Sequence, residues 1–496
     1  MMDSKDRLLP EKELEFIKRI HGVLIDYLDQ KENSLVNPSM AHDNPKSGVN
    51  FSLDEPNDHD SIESLIDQYL GSAIDTSSPH FYNQLFSGFS TMGYLGEIIA
   101  SITNSSMYTF EMSPMATLIE VELIKKMTTI VGYENGFGTF VTGGSNANLV
   151  AMLAARDRIY PKSKKEGLYN EKILCAFVSE ESHYSYIKAG YQLGIGIDQI
   201  KRVPCDQTGH MDTDALSLEI KNAIHAGRIP FFVGATAGTT IRGAFDPIKK
   251  INEICKNNHL WFHIDGSWGG SVLLSKQHSE LLDGSEESDS FAWCAHKMMG
   301  VPLMCTVILM KDKDVLRNIN NVPSTDYLFH GEKMDLGLHS LQCGRRTDSI
   351  KLWLTWKYYG DIGFEKRIDR LFDLAKYAES KVRSSKLFKM VSPCESLNVC
   401  FQIQPKELNP SEWSTFTKNV RNRLVEEGEI MVNYANIGDI CCIRLIIVNF
   451  NLRKHHLDTF FEGIETVTNV GVKNINHFGG CSLLKGSKKK IDEFQN

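Results

Sequence analysis

Two short segments hold the residues best able to do chemistry. Trp261-Phe-His-Ile-Asp265-Gly-Ser-Trp268 is an apolar run that ends in a carboxylate. Thirty-two residues on, Phe291-Ala-Trp-Cys-Ala-His296-Lys297 is a second apolar run that ends in His-Lys. A carboxylate and an amine delivered by neighbouring strands suit pyridoxal phosphate: the acid keeps a pyridine nitrogen protonated and the amine carries the coenzyme as a Schiff base. A third segment, Thr142-Gly-Gly-Ser-Asn-Ala-Asn148, separates apolar Phe140-Val141 from a helical run. Glycines there let backbone approach an anion, and a helix N-terminus offers free N–H groups and positive potential. The turn lacks the Lys-Ser/Thr of a P-loop and the spacing of a dinucleotide fingerprint, which argues against nucleotides. By itself it reads equally as a tight turn with a Ser or Asn cap.

Further along, His183 in Glu181-Ser-His-Tyr-Ser185 begins a helix just after a strand, where an imidazole can stack on a flat ligand. Gly234-Ala-Thr236-Ala-Gly-Thr-Thr240 supplies small residues and hydroxyls at another strand end. In an open α/β sheet, ligands bind at the carboxyl ends of strands. Gly144, Ser145, His183, Thr236 and Asp265 are expected to converge there, with Lys297 entering from a loop beside them.

The elements that must position these groups alternate. Helix-like Ala147–Ile159, 184–193 and 247–257 interleave with strand-like 172–178, 229–235 and 260–264, the pattern of parallel strands with crossover helices. Beyond about residue 355 a long helix over Gly363–Ser384 precedes strand-like 397–403 and 440–448, as in a smaller α+β domain. Ahead of the main domain, Leu14, Ile17, Ile20, Leu24 and Leu28 recur at helical spacing over 11–30. Polar residues 31–60, with three prolines, read as a linker. The expected organisation is an N-terminal helical and dimerisation segment with linker (1–100), a large domain (101–355), a small domain (356–475) and a tail (476–496).

Composition narrows the class. At 496 residues, 42% hydrophobic and 23% charged, the chain exceeds one ordinary core. A net charge of −8 argues against a nucleic-acid partner. Eleven cysteines, an odd count without a C-x-x-C pair, form neither a disulfide framework nor a zinc ribbon. No metal site is expected. With no signal-like start and no apolar run long enough to span a bilayer, a cytoplasmic protein off the membrane is expected.

Taken in order, these motifs resemble the group II pyridoxal-phosphate-dependent amino-acid decarboxylases, within the glutamate and cysteine-sulfinate branch. Besides the stretches above, His80-Phe-Tyr-Asn-Gln-Leu-Phe-Ser-Gly88, Gly243-Ala-Phe-Asp-Pro247, Asp326-Tyr-Leu-Phe329, Leu341-Gln-Cys-Gly-Arg-Arg346 and Asn398-Val-Cys-Phe401 carry the likeness, which runs from about residue 65 to 470. The resemblance implies an α/β fold of the aspartate-aminotransferase-like fold type I, with a mainly parallel central sheet and a smaller C-terminal α+β domain, assembled as a homodimer. It implies Lys297 as the Schiff-base lysine, Asp265 as partner of the ring nitrogen and His183 as the stacking residue. Gly144 and Ser145 hold the phosphate, and Thr236 and His296 make further coenzyme contacts. Tyr327 matches the tyrosine that returns a proton after CO₂ leaves, and Gln84 and Arg444 match positions that contact the substrate carboxylate.

Phe86 stands where glutamate enzymes tend to carry a small polar residue. It shortens the pocket and favours aspartate or cysteine sulfinate over glutamate. The chain departs from the family in three places: Cys294-Ala295 replaces Asn-Pro, Asp265-Gly-Ser-Trp268 replaces Asp-Ala-Ala-Trp, and the segment after Phe329 is about five residues shorter. That last change leaves open a decarboxylase of aromatic or diamino acids or an aldehyde-forming variant. A catalytically silent homologue retained for binding or regulation is a separate alternative, against which intact Asp265, Lys297 and Tyr327 argue.

Overall fold

Runs of β-branched and aromatic residues form strands buried on both faces, as a sheet covered by helices on either side requires. The computed structural model describes residues 9–33, 35–36, 51–169, 172–323, 325, 327–329 and 334–478. Asp326, much of the 31–60 stretch and nearly all of the expected tail lie outside these residues. In chain order the strands are β1 (Phe81–Tyr82), β2 (Phe137–Val141), β3 (Leu174–Ser179), β4 (Ile200–Val203), β5 (Ile229–Thr236) and β6 (Trp261–Gly266). There follow β7 (Ser290–Cys294), β8 (Thr306–Met310), β9 (Phe388–Met390), β10 (Asn398–Ile403), β11 (Met431–Ile437) and β12 (Ile440–Ile446).

Seven strands make the large sheet in the order β2-β8-β7-β6-β5-β3-β4. From β4 to β7 every pairing is parallel; β8 runs against both β7 and β2. The mainly parallel sheet expected from the alternation is therefore present, with one antiparallel strand inserted. Helix Gly144–Ile159 packs over its centre. The buried face of that helix carries Ala147, Ala151, Ala154 and Ala155, whose small side chains let backbone and sheet approach closely.

A smaller five-stranded sheet has the order β1-β11-β12-β10-β9, antiparallel except for β1 against β11. The N-terminal segment thus supplies an edge strand to the C-terminal sheet, which sets the residues just after Tyr82 beside β12. Two helices follow one another over Ser349–Ser384, separated by a kink at Gly360, so the second begins close to the expected start at Gly363 and ends at Ser384 as expected. Gly360 (φ 62°, ψ −178°) takes a conformation that glycine adopts without a side-chain clash. One buried apolar cluster, including Tyr82, Phe262, Phe291, Phe401 and Phe460, spans both sheets. No helix among the described residues is long and apolar enough to cross a membrane.

Candidate active site

The parallel strands all end at one edge of the large sheet, and the segments that follow β2, β3, β5, β6 and β7 enclose a cavity of about 140 Å³. Gly144, Ser145, His183, Thr236, Asp265 and Lys297 line it together. The turn after β2 is made by Gly143 at φ 112°, and the helix starts at Gly144. A Cβ on Gly144 would lie 2.5 Å from Ser267 Oγ, so a side chain here would force that hydroxyl to shift.

Asp265 is buried at the end of β6. Its Oδ1 accepts from the Ser267 N–H at 3.0 Å and its Oδ2 from Asn148 Nδ2 at 2.8 Å. Burial pushes this carboxyl up, but hydrogen bonds from Ser267 and Asn148, with Lys297 nearby, hold it below the ordinary range. It is ionised at neutral pH. His183 is also held below its ordinary value: burial outweighs the pull of Asp265 and favours the neutral ring. The Ser185 N–H donates to His183 Nδ1 at 3.2 Å, fixing the ring at the head of helix Ser185–Gln192. Thr236 is held by its own N–H, which donates to the buried Asp246 at 2.7 Å.

Not every expected residue joins this cavity. His296 and Phe86 line a neighbouring cavity of about 260 Å³ with Ser87 and Tyr94. Burial drives His296 down to about 4, and its Nδ1 lies 2.9 Å from the Cys305 carbonyl. Arg444 on β12 is buried; it donates to the Asn83 carbonyl at 2.8 Å and the Thr240 carbonyl at 3.2 Å. Thr240 belongs to the cavity wall, so Arg444 stands directly behind that wall. Gln84, next to Asn83, is exposed. Tyr327 lies at the surface, 81% exposed, and is not part of the cavity.

Four residues without a role in the sequence reading shape the site. Ser267 and Trp268 complete the wall. Asn398 accepts from Trp268 Nε1 at 2.9 Å and donates to the Ile241 carbonyl at 2.9 Å, tying the small domain to that wall. Asn148 grips Asp265. The signals were present: Asn148 lies one helical turn beyond Gly144, and Asn398 opens a motif already noted.

Pyridoxal phosphate fits what these residues leave open. Among the described residues the buried hydroxyls Thr236 Oγ1 and Ser267 Oγ have no partner. An unmet buried polar group costs about 1–3 kcal/mol, so such a pair in a cavity calls for a polar ligand. The helix start at Gly144 adds an anion cradle, and Lys297 and Asp265 face the same space. Sheet topology and site together define a pyridoxal-phosphate enzyme of fold type I.

A family model of the pyridoxal-dependent decarboxylase conserved domain matches residues 44–404, and the chain belongs to that family. It is 38% identical over 407 residues to the cysteine sulfinic acid decarboxylase of Mus musculus, covering 79% of this chain and 83% of that protein. To the Homo sapiens cysteine sulfinic acid decarboxylase it is 35% identical over 467 residues, covering 90% and 95%. A crystal structure of mouse CSAD matches with a TM-score of 0.88 at 33% identity, over 93% of this chain and 99% of that one. The structure of Oryza sativa TDC with PLP and tryptamine shares the fold, with a TM-score of 0.85 at 23% identity over 94% and 99% of the two chains.

Proposed function

We propose that the chain removes the α-carboxylate of a short acidic L-amino acid, aspartate or cysteine sulfinate ahead of glutamate, to give the amine and CO₂. The observation that carries this reading is Arg444. Its guanidinium is buried behind the cavity wall, held by two carbonyls, with Nε unpartnered and no ion pair among the described residues. A buried charge without a counter-charge is costly, and an acidic ligand would supply one. The names of the curated relatives support the same substrate class.

Bound here, pyridoxal phosphate supplies a conjugated ring that takes up the electron pair left when CO₂ departs. Lys297 would hold it through Nζ, the N–H groups of Gly144 and Ser145 its phosphate, Asp265 its ring nitrogen and His183 its face. Thr236 Oγ1 and Ser267 Oγ are the free hydroxyls beside it. Asp265 keeps a proton on the facing nitrogen, which matters most as charge develops. Arg444 orients the side-chain acid; a limit on its length by Phe86, which lines the neighbouring cavity, rests on the family resemblance. Proton return by Tyr327 rests on the family resemblance and requires that residue to move inward from the surface.

Single-turnover product analysis of the coenzyme-loaded protein with aspartate, cysteine sulfinate and glutamate tests the proposal. β-Alanine or hypotaurine with CO₂ supports it; 4-aminobutyrate as the main product overturns the argument from pocket length. Absence of CO₂ from all three overturns the substrate class. Phe86→Ser should raise glutamate turnover relative to the shorter acids.

A homodimer is part of the proposal. Leu95, Ile99 and Ile102 on helix Thr91–Thr103, and Met112, Met115 and Leu118 further along the chain, are exposed apolar residues that a second copy could cover. Sedimentation at working concentration tests it. A cytoplasmic location accords with ten free cysteines among the described residues.

A further inference from the structure

β6 alternates, so Trp261, His263 and Asp265 point to the same face of the sheet. The parallel register sets Ser290 of β7 opposite His263. Asn148 reaches the same face from the helix above. Trp261 Nε1 lies 2.8 Å from Ser290 Oγ, and Ser290 Oγ lies 2.8 Å from His263 Nδ1. His263 Nε2 is 3.0 Å from Asn148 Oδ1, and Asn148 Nδ2 is 2.8 Å from Asp265 Oδ2 and 2.9 Å from Ser185 Oγ. All of these groups are buried.

The two ends set the direction. An ionised carboxylate can only accept and an indole N–H can only donate. Asp265 therefore turns the amide of Asn148 so that its NH₂ faces the carboxylate and its oxygen faces His263. The opposite amide orientation would set oxygen against oxygen. His263 must then donate from Nε2, and a neutral ring leaves Nδ1 as an acceptor. Ser290 fills it with its hydroxyl proton while accepting from Trp261. Complete burial disfavours a second proton on His263, and that cost outweighs the attraction of Asp265.

We propose that Trp261, Ser290, His263 and Asn148 form a one-way hydrogen-bond chain that holds Asp265 ionised, with His263 an uncharged positioning residue in a single tautomer. Each dipole in the chain polarises the next toward the carboxylate, and the low-dielectric surroundings strengthen every link. The effect on the coenzyme rests on the pyridoxal-phosphate reading; the tautomer of His263 does not. Lys297, His183 and Tyr186, whose ring packs edge-on against His263, are the other titratable groups that act on Asp265 or face it.

The test uses the full chain in two states. In the apoprotein, ¹⁵N-histidine NMR, with the His263 signals assigned by their loss in His263→Gln, should show one exchange-protected Nε2–H that does not titrate between about pH 5.5 and about pH 8. An Nδ1–H tautomer, or a ring that gains a proton in that range, overturns the proposal whether or not the coenzyme binds. In protein loaded with ¹⁵N-labelled pyridoxal phosphate, the ring nitrogen should stay protonated across the same range. His263→Phe should make it lose its proton at least about one pH unit lower. Coenzyme affinity should fall about tenfold, one such unit converted. His263→Gln, which can donate to Asn148 and accept from Ser290, should restore most of both. Should His263→Phe not fold, Trp261→Phe must shift ring protonation the same way by a smaller amount. Ring protonation unchanged from wild type in a folded, loaded variant overturns the chain. Failure to take up pyridoxal phosphate overturns the coenzyme reading instead.

Discussion

Replacing Arg444 with Met removes a charge while keeping most of the side chain's volume. Two of its five N–H groups are engaged, by the carbonyls of Asn83 and Thr240, so three remain for a ligand. A charge-assisted hydrogen bond is worth about 1.5–3 kcal/mol, and a forked grip on an acid uses two, so about 3–6 kcal/mol is at stake. At about 1.4 kcal/mol per factor of ten, kcat/KM for cysteine sulfinate or aspartate should fall by about 10²–10⁴. The side-chain acid is bound alike before and during reaction, so the loss should appear mainly in KM. Arg444→Lys keeps the charge but not the fork and should lie between. A neutral amino acid such as 2-aminobutyrate, already a poor substrate, should change little. The orphaned carbonyls will lower stability, so variants are compared by circular dichroism and coenzyme absorbance before kinetics. The reasoning is refuted if the folded, loaded Met variant loses less than about threefold, or loses acidic and neutral substrates equally.

Three further outcomes are expected. Gly144→Ala places a Cβ 2.5 Å from Ser267 Oγ and 3.6 Å from Cys294 Sγ. Such overpacking costs about 1–3 kcal/mol, so titration should show coenzyme affinity lowered by about tenfold, and unchanged affinity would contradict the cradle. Burial holds His296 down at about 4 and lowers His263 as well. Unfolded histidine titrates near 6.5, so between these values the unfolded chain binds protons that the native state refuses. That stability is present in full above about pH 6.5 and drains away as pH falls toward about 4, at about 1.4 kcal/mol per unit for each ring. Denaturant midpoints at pH 7 and pH 5 check it; equal midpoints count against the neutral rings. Tyr327→Phe should leave coenzyme uptake intact and shift products from amine toward abortive transamination. Wild-type product ratios and rate would remove Tyr327 from proton return.

The strands and the ligand edge were legible because they depend on local pattern. Fully buried parallel strands need unbroken apolar runs, and a strand-to-helix turn around an anion needs glycine, as at Gly143 and Gly144. The helix over Gly363–Ser384 was legible in the pattern, and the break at Gly360 precedes it; the helix over 349–359 ahead of that break was not read. Asn398, buried Asn148 and the wall position of Ser267 escaped because ordinary polar residues gain roles through partners more than a hundred residues away.

From its residues alone the chain singled out the candidate groups that the structure gathers at one cavity: a lysine, a carboxylate, an imidazole and a glycine turn at strand ends. Those types are dictated by the covalent and acid–base needs of the coenzyme, so they survive as short motifs. Tertiary structure decided how they are held and what lies next to them. Pairing β1 with β11 brought Asn83 to Arg444, and packing Phe86 and His296 together made a second cavity. Joining β6, β7 and helix Gly144–Ile159 put four polar side chains behind Asp265. Burial and hydrogen-bond direction arise between distant segments, and no local pattern encodes them.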